Sequence, residues 1–317
     1  MIEVENLTKR YPGRTAVDDV SFSVTQGEIV GLLGRNGAGK STIMRILSGF
    51  MPATSGTARV AGYDVFHQAD DVRRCIGYMP ENNPLHLEMR VSEYLKFRAR
   101  LKGLRGARGR ERVALVMEQC GLTDVSRKII GHLSKGFKQR VGLADSLSHE
   151  PELVILDEPT IGLDPNQIRS VRQLIKSLAG QHTVLISTHI LSEVEMICHR
   201  VLILDKGRIQ AADTPENLRK IMSDNGQVIA EIAGPVDDMR DCWEAMPEVE
   251  HFNISPAEGD FFRCALTPRA GVDLRPLVFQ QVCARGWNLR ELTHSRHSLE
   301  DIFVHLTRED KESEEGL

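Results

Sequence analysis

"GRNGAGKST", residues 34–42, decides how the rest of the chain is read. The stretch matches G-x-x-x-x-G-K-[ST] and directly follows a continuous apolar run, "EIVGLLG" (28–34). Gly34, Gly37 and Gly39 let the backbone fold tightly enough for its N–H groups to face phosphate oxygens. Lys40 is placed to reach the β- and γ-phosphates, and the Ser41 hydroxyl to ligate Mg²⁺. "STIMRILSGF" continues with helical patterning, so the positive end of a helix points at the same place. A strand, this loop and a helix in that order make a phosphate cradle rather than a chance turn.

Further apolar runs extend the pattern. "ELVILDEP" (152–159), "HTVLIST" (182–188) and "VLILD" (201–205) read as strands buried on both faces of a mostly parallel sheet. Between the first two lies "DPNQIRSVRQLIKSLAG", with Asp164 as helix cap, Pro165 at the first helical position and Gly180 at the end. Ile168, Val171, Leu174, Ile175 and Leu178 give that helix one apolar face. Strand, helix, strand is a βαβ unit. Ligands in such sheets sit at the carboxyl ends of the strands, where Asp157 and Glu158 fall. Asp157 is placed to hold Mg²⁺ through its water shell, and Glu158 to polarise an attacking water. His189 ends the neighbouring strand, within reach of the γ-phosphate.

The totals fit a large domain and a smaller one: 317 residues, 41% hydrophobic, 26% charged, net charge -4. That charge gives no reason to expect nucleic-acid binding. The six cysteines (75, 120, 198, 242, 264 and 283) form no Cys-x-x-Cys pair and no zinc spacing, and read as reduced core thiols. "MIEVENLTKRY" shows no secretion signal, and no apolar run approaches the roughly 20 residues that span a bilayer. Any work at a membrane then needs another chain.

Residues 91–150 read as a helical insertion: "VSEYLKFRARLKG" and "ERVALVMEQCGL" are helices, and the basic, glycine-rich "LKGLRGARGRER" between them a solvated loop. The pattern resets after about residue 220. "QVIAEIAG", "VDDMRDCWEAM", "VEHFNIS", "DFFRCALT", "DLRPLVFQQVCARG", "WNLRELTHS" and "SLEDIFVHLTRE" give strand, helix, two strands, helix, strand and a closing helix. The order β-α-β-β-α-β is that of a ferredoxin-like module, with Trp243 and Trp287 in its core. The expected divisions are 1–220, 221–309 and a charged tail, 310–317.

A second candidate anion site stands in "LSKGFKQR" (133–140), where Ser134 and Gly136 open a basic helix. With it, residues 1 to about 220 resemble the ATP-binding subunit of an ATP-binding-cassette (ABC) transporter. The resemblance implies an α/β P-loop core with an antiparallel β portion and a helical subdomain, to which the α+β module is appended. It implies that residues 34–42 bind ATP as a unit, so Asn36, Ala38 and Thr42 join the glycines, Lys40 and Ser41. Tyr11 in "KRYPG" matches the aromatic that stacks on adenine. Glu81 in "IGYMPENNP" stands where the family has Gln, linking Mg²⁺ and water to the membrane partner. "LSKGF" falls on the family signature, Leu-Ser-Gly-Gly-Gln. Asp157 and Glu158 match the metal-linked acid and the base, "GLDP" (162–165) with Asp164 the loop at the dimer interface, and His189 the switch histidine.

The resemblance also implies a head-to-tail homodimer in which Ser134, Lys135 and Gly136 of one copy complete the partner copy's ATP site. It implies separately encoded permease subunits that hold the ATPase at the cytoplasmic face of the membrane. Lys135 and Phe137 depart from the signature; Lys135 adds charge near a polyphosphate and removes a permissive backbone position. With Glu81, "TPENLRK" and "SLEDIFVHLT", these departures resemble the gliding-motility-type bacterial export ATPases. Three other readings fit less well. Translation cassettes are double, DNA-repair cassettes insert a long coiled coil, and small-molecule kinases carry an acceptor lid. An ATP-gated scaffold is the main alternative, disfavoured by intact Lys40, Asp157, Glu158 and His189.

Overall fold

The computed structural model describes residues 1–218, 227–269 and 272–295. Contacts divide the chain into two compact units, Met1–Pro215 and Glu216–Leu317.

The first unit holds two sheets. β1 (Ile2–Tyr11), β2 (Arg14–Val24), β4 (Ser55–Val60) and β5 (Tyr63–Asp64) form a four-stranded antiparallel sheet in the order β2-β1-β4-β5. The other sheet has the order β10-β9-β3-β8-β7-β6. Its strands are β3 (Ile29–Gly34), β6 (Ile76–Met79), β7 (Leu153–Asp157), β8 (Thr183–Thr188), β9 (Arg200–Asp205) and β10 (Arg208–Asp213). All its pairings are parallel except β9 with β10. Every residue of β3, β7 and β8 is buried, which is why these strands read as unbroken apolar runs. Helix α1 (Lys40–Leu47) fills the space between the sheets: its Ile43, Met44, Ile46 and Leu47 share one core with Ile2, Leu7 and Val60 of the small sheet and Leu32, Ile155 and Leu185 of the large one.

Helix α2 (Ala69–Cys75) precedes β6, and α3 (Val91–Leu101), α4 (Gly106–Gln119) and α5 (Lys135–Leu147) form the helical part between β6 and β7. Here the basic stretch "LKGLRGARGRER" departs from the solvated loop expected of it, because α4 already begins at Gly106. Gly109 and Val113 are buried on its inner face, and that packing outweighs the helix penalty of two glycines. Asp145 ties α5 to α3: it accepts from Arg98 Nε at 2.9 Å, from Lys102 Nζ at 3.2 Å and from the Tyr94 hydroxyl at 3.4 Å. Helix α6 (Pro165–Ser177) starts as expected, with the Asp164 carboxylate accepting from the Gln167 N–H at 2.9 Å. Val171, Ile175 and Leu178 of its apolar face are buried. Helix α7 (Leu191–Ile197) follows β8.

In the second unit, β11 (Gln227–Ala233), α8 (Val236–Glu244), β12 (Val249–Pro256), β13 (Phe261–Pro268), α9 (Leu274–Arg285) and β14 (Asn288–Ser295) follow in chain order. The antiparallel sheet order β12-β13-β11-β14 is ferredoxin-like. Trp243 is buried, with its ring edge-on to Trp287 at 6.0 Å. The thiols are all free, but Cys283 is exposed rather than a core residue. The closing helix expected over "SLEDIFVHLTRE" and the charged tail lie outside the described residues. No helix among the described residues is long and apolar enough to cross a membrane.

Candidate functional site

The sheet order brings the chemistry together. β8 lies between β3 and β7, with Leu33 opposite Thr188 and Asp157 opposite Ser187. The loop after β3, the acids after β7 and the histidine after β8 therefore emerge side by side at the carboxyl edge. The loop needs its glycines. Gly37 and Gly39 have φ of +85° and +112°, where side chains are strained. A Cβ at Gly39 would also stand 2.4 Å from the backbone oxygen of Ala16.

A cleft opens over this loop. Asn36, Gly37, Gly39, Lys40, Ser41 and Thr42 line it, together with Glu81, Glu158 and the cations Arg14, Arg35 and Arg45. Four basic side chains around backbone N–H groups suit a polyphosphate. Lys40 Nζ donates to Gly34 O at 2.7 Å and to Arg35 O at 3.3 Å, and lies 3.4 Å from Glu158 Oε1. The other oxygen of Glu158 is 2.8 Å from His189 Nδ1. One buried carboxylate thus faces the loop lysine on one side and the histidine on the other.

Glu158 holds a left-handed backbone, φ +49°. A non-glycine residue there costs about 1 kcal/mol or more and persists only when its surroundings enforce it. The enforcing group is Ser187: its Oγ accepts from the Glu158 N–H at 3.0 Å and donates to Asp157 Oδ1 at 2.5 Å. Asp157 Oδ1 also accepts from Ser41 Oγ at 3.3 Å. Burial, and next the Asp157 carboxylate, push the nearby Tyr78 phenol up to about 12.

Other expected residues fall elsewhere. Tyr11 does not line the cleft, although its ring lies 5.8 Å from the guanidinium of Arg14, which does. Ser134, Lys135 and Gly136 also lie outside the cleft lining of their own chain. Ser134 caps α5, its Oγ accepting from the Phe137 N–H at 3.4 Å. Lys135 is the first helical residue, without positive φ, so losing the permissive glycine of the signature costs the backbone nothing there. A Cβ on Gly136 would meet the flexible end of the Gln167 side chain, with Oε1 at 2.4 Å. Lys135 Nζ covers Gly162, at 2.1 Å from where a Cβ on that glycine would be.

Arg14, Arg35, Arg45, Ser187 and Glu193 escaped the sequence reading. A serine within the apolar run "HTVLIST" and a glutamate among the apolar positions Leu191, Val194 and Ile197 were the available signals, since buried polar groups need partners.

A P-loop over a parallel sheet, a helical insertion and a strand-end pair of acids define the fold of an ABC-class ATPase. The family model described as ABC transporter matches residues 17–161. The chain is 30% identical over 309 residues to the linearmycin resistance ATP-binding protein LnrL of Bacillus subtilis (strain 168), covering 97% of this chain and 98% of that one. It is 35% identical over 308 residues to the Nod factor export ATP-binding protein I of Paraburkholderia xenovorans (strain LB400), covering 96% of each. Among solved structures it resembles a dimeric ATP-binding cassette in a post-hydrolysis state bound to ADP and Pi. That match has a TM-score of 0.62 and 25% identity over 68% of this chain and 98% of the other. This chain belongs to the ABC transporter ATP-binding proteins.

Proposed function

We propose that the chain is the ATP-hydrolysing subunit of a bacterial ABC exporter, working as a head-to-tail homodimer around two ATP on separate permease subunits. The observation that carries the two-chain site is the position of Ser134–Gly136: a capped helix start with an exposed serine, outside the cleft formed by Lys40, Ser41 and Glu158 of its own chain. A second copy turned head to tail gives that segment an ATP to cap, and the solved dimeric cassette is a precedent. Export rests on the relatives, whose names specify linearmycin resistance and Nod factor export and which match nearly the whole chain. The gliding-motility-type subfamily rests on "PENNPL", "LSKGFKQR" and "TPENLRK".

Hydrolysis needs a base, a positioned water and charge on the phosphates. Glu158 takes the proton of the attacking water, and His189 fixes the carboxylate and meets the γ-phosphate. Gly37, Gly39 and Lys40 hold the phosphates with Asn36, Ala38 and Thr42, and Tyr11 stacks on adenine through its place beside Arg14. Ser41 and Asp157, oxygen donors 3.3 Å apart, fit Mg²⁺, with Glu81 as a third oxygen donor at the cleft edge. Among the described residues no group of three or more His, Cys, Asp or Glu is placed to hold a metal ion. Mg²⁺, when bound, would neutralise charge on the triphosphate. Ser134, Lys135 and the N–H of Gly136 complete the partner copy's site, with Asp164 at the interface.

The permease holds the ATPase at the cytoplasmic face of the membrane; its docking surface is the groove beside Glu81 and α3. Lys96 and Arg100 are exposed on α3, whereas Arg98 of the same helix is committed to Asp145. Charge reversal at Lys96 and Arg100 should uncouple transport and spare ATP binding, and unchanged transport would exclude this docking face. The function itself is tested by ATPase assays of wild type and Glu158→Gln. Loss of turnover with retained ATP binding is expected; no turnover in either protein fits an ATP-gated scaffold instead, and equal, measurable turnover would remove Glu158 as the base.

A further inference from the structure

Glu193 is wholly buried, and its hydrogen-bond and ion-pair partners among the described residues, Arg172 and Thr188, belong neither to the phosphate loop nor to the catalytic pair. A glutamate out of water must be paired to stay charged. Its Oε2 accepts from Thr188 Oγ1 at 2.8 Å, and its Oε1 lies 3.3 Å from Arg172 Nη2 on α6. The same Thr188 Oγ1 accepts from the Ile190 N–H at 3.0 Å. One hydroxyl, aimed by Glu193, therefore ties the residue before His189 to the residue after it.

We infer that Glu193 is a positioning residue for hydrolysis, which acts through Thr188 to hold the His189 turn against Glu158. The inference rests on the roles given above to Glu158 and His189. Several features favour positioning over simple packing. A buried ion pair contributes little net stability compared with an apolar pair, and its best attested use is to fix one arrangement. The group it fixes is the turn carrying His189, whose Nδ1 is 2.8 Å from the Glu158 carboxylate. The anchor on the far side, Arg172, is about two turns along the helix that Asp164 caps. The His189 side chain is 39% exposed against 6% for its partner Glu158, so the turn that carries it has less packing to hold it.

The test is steady-state ATPase of the full chain carrying Thr188→Val, Thr188→Ser, Glu193→Gln or Glu158→Gln, each with ATP binding and a thermal melt. Thr188→Val keeps the shape and deletes the hydroxyl. It should lower kcat about tenfold or more and leave KM for ATP within about twofold. Thr188→Ser restores the hydroxyl and should rescue the rate. Glu193→Gln keeps an acceptor for Thr188 and should fall between the two. Wild-type kcat in Thr188→Val beside an inactive Glu158→Gln would overturn this inference alone. So would losses that follow the melting temperature and are not rescued by serine. Full activity in Glu158→Gln would overturn both this inference and the site reading beneath it.

Discussion

Substituting Gly39→Ala tests how the phosphate loop is built, with Gly37→Ala as its control. Both glycines lie at positive φ, +112° and +85°. A Cβ at Gly37 meets nothing within 4 Å, so alanine there adds backbone strain alone, about 1–2 kcal/mol. A Cβ at Gly39 stands 2.4 Å from Ala16 O, a backbone atom of β2 that cannot swing aside. Gly207 also lies close to this carbonyl, since a Cβ on it would stand 2.9 Å from Ala16 O, and the Gly207 N–H donates to Ala38 O at 3.0 Å. The overlap adds about 1–3 kcal/mol to a strain of similar size. Gly39→Ala should therefore weaken ATP binding about a hundredfold, and Gly37→Ala about tenfold. Equilibrium titration with a fluorescent ATP analogue reads both, and denaturant unfolding separates loop damage from global unfolding. Equal losses would refute the packing argument, since they would leave backbone strain as the only cost.

Three further outcomes are expected. The Nε2–H of His149 donates to Ile76 O at 2.9 Å, while its buried Nδ1 has no partner; burial first, and then the charge of Lys102, depress its ordinary pKa of 6.5 to about 4. Between those values the unfolded chain binds a proton that the folded protein refuses. Stability is thus fully present above about pH 6.5 and falls on the order of 2 kcal/mol towards pH 4, a loss that His149→Gln should reduce in denaturant titrations. Asp145→Ala leaves Arg98 and Lys102 without their buried counterion and should cost about 3–5 kcal/mol by unfolding in urea; a loss under about 1 kcal/mol would contradict the pairing. Lys135→Glu should weaken ATP-dependent association about tenfold at low salt and less at high salt, as read by sedimentation; no salt dependence would remove Lys135 from the interface.

Much of this was legible because the controlling interactions are local. A strand buried on both faces is mostly apolar, and β3, β7 and β8 announce themselves that way, with the polar Asp157, Ser187 and Thr188 at their carboxyl ends. The phosphate loop and the Asp164–Pro165 helix start carry their reasons within a few residues. What was hidden depends on distant partners. Ser187 clamps Glu158 from 29 residues away, and Arg172 meets Glu193 across 21. Arg14 reaches the cleft only because the small sheet packs over α1. The start of α4 was misread for the same reason: Gly106 and Gly109 argue locally for a loop, and tertiary packing decides otherwise. Lys135 stands where the signature has a permissive glycine, yet the N-cap at Ser134 gives it ordinary helical geometry.

The most direct measurement is analytical ultracentrifugation of Glu158→Gln with and without MgATP, repeated with Ser134→Arg. A monomer that becomes a dimer only with MgATP, and stays monomeric when Ser134→Arg is added while still binding ATP, is the expected result. A protein that remains monomeric at saturating MgATP, beside a wild type whose turnover per chain is fast at every dilution, would contradict the two-chain site.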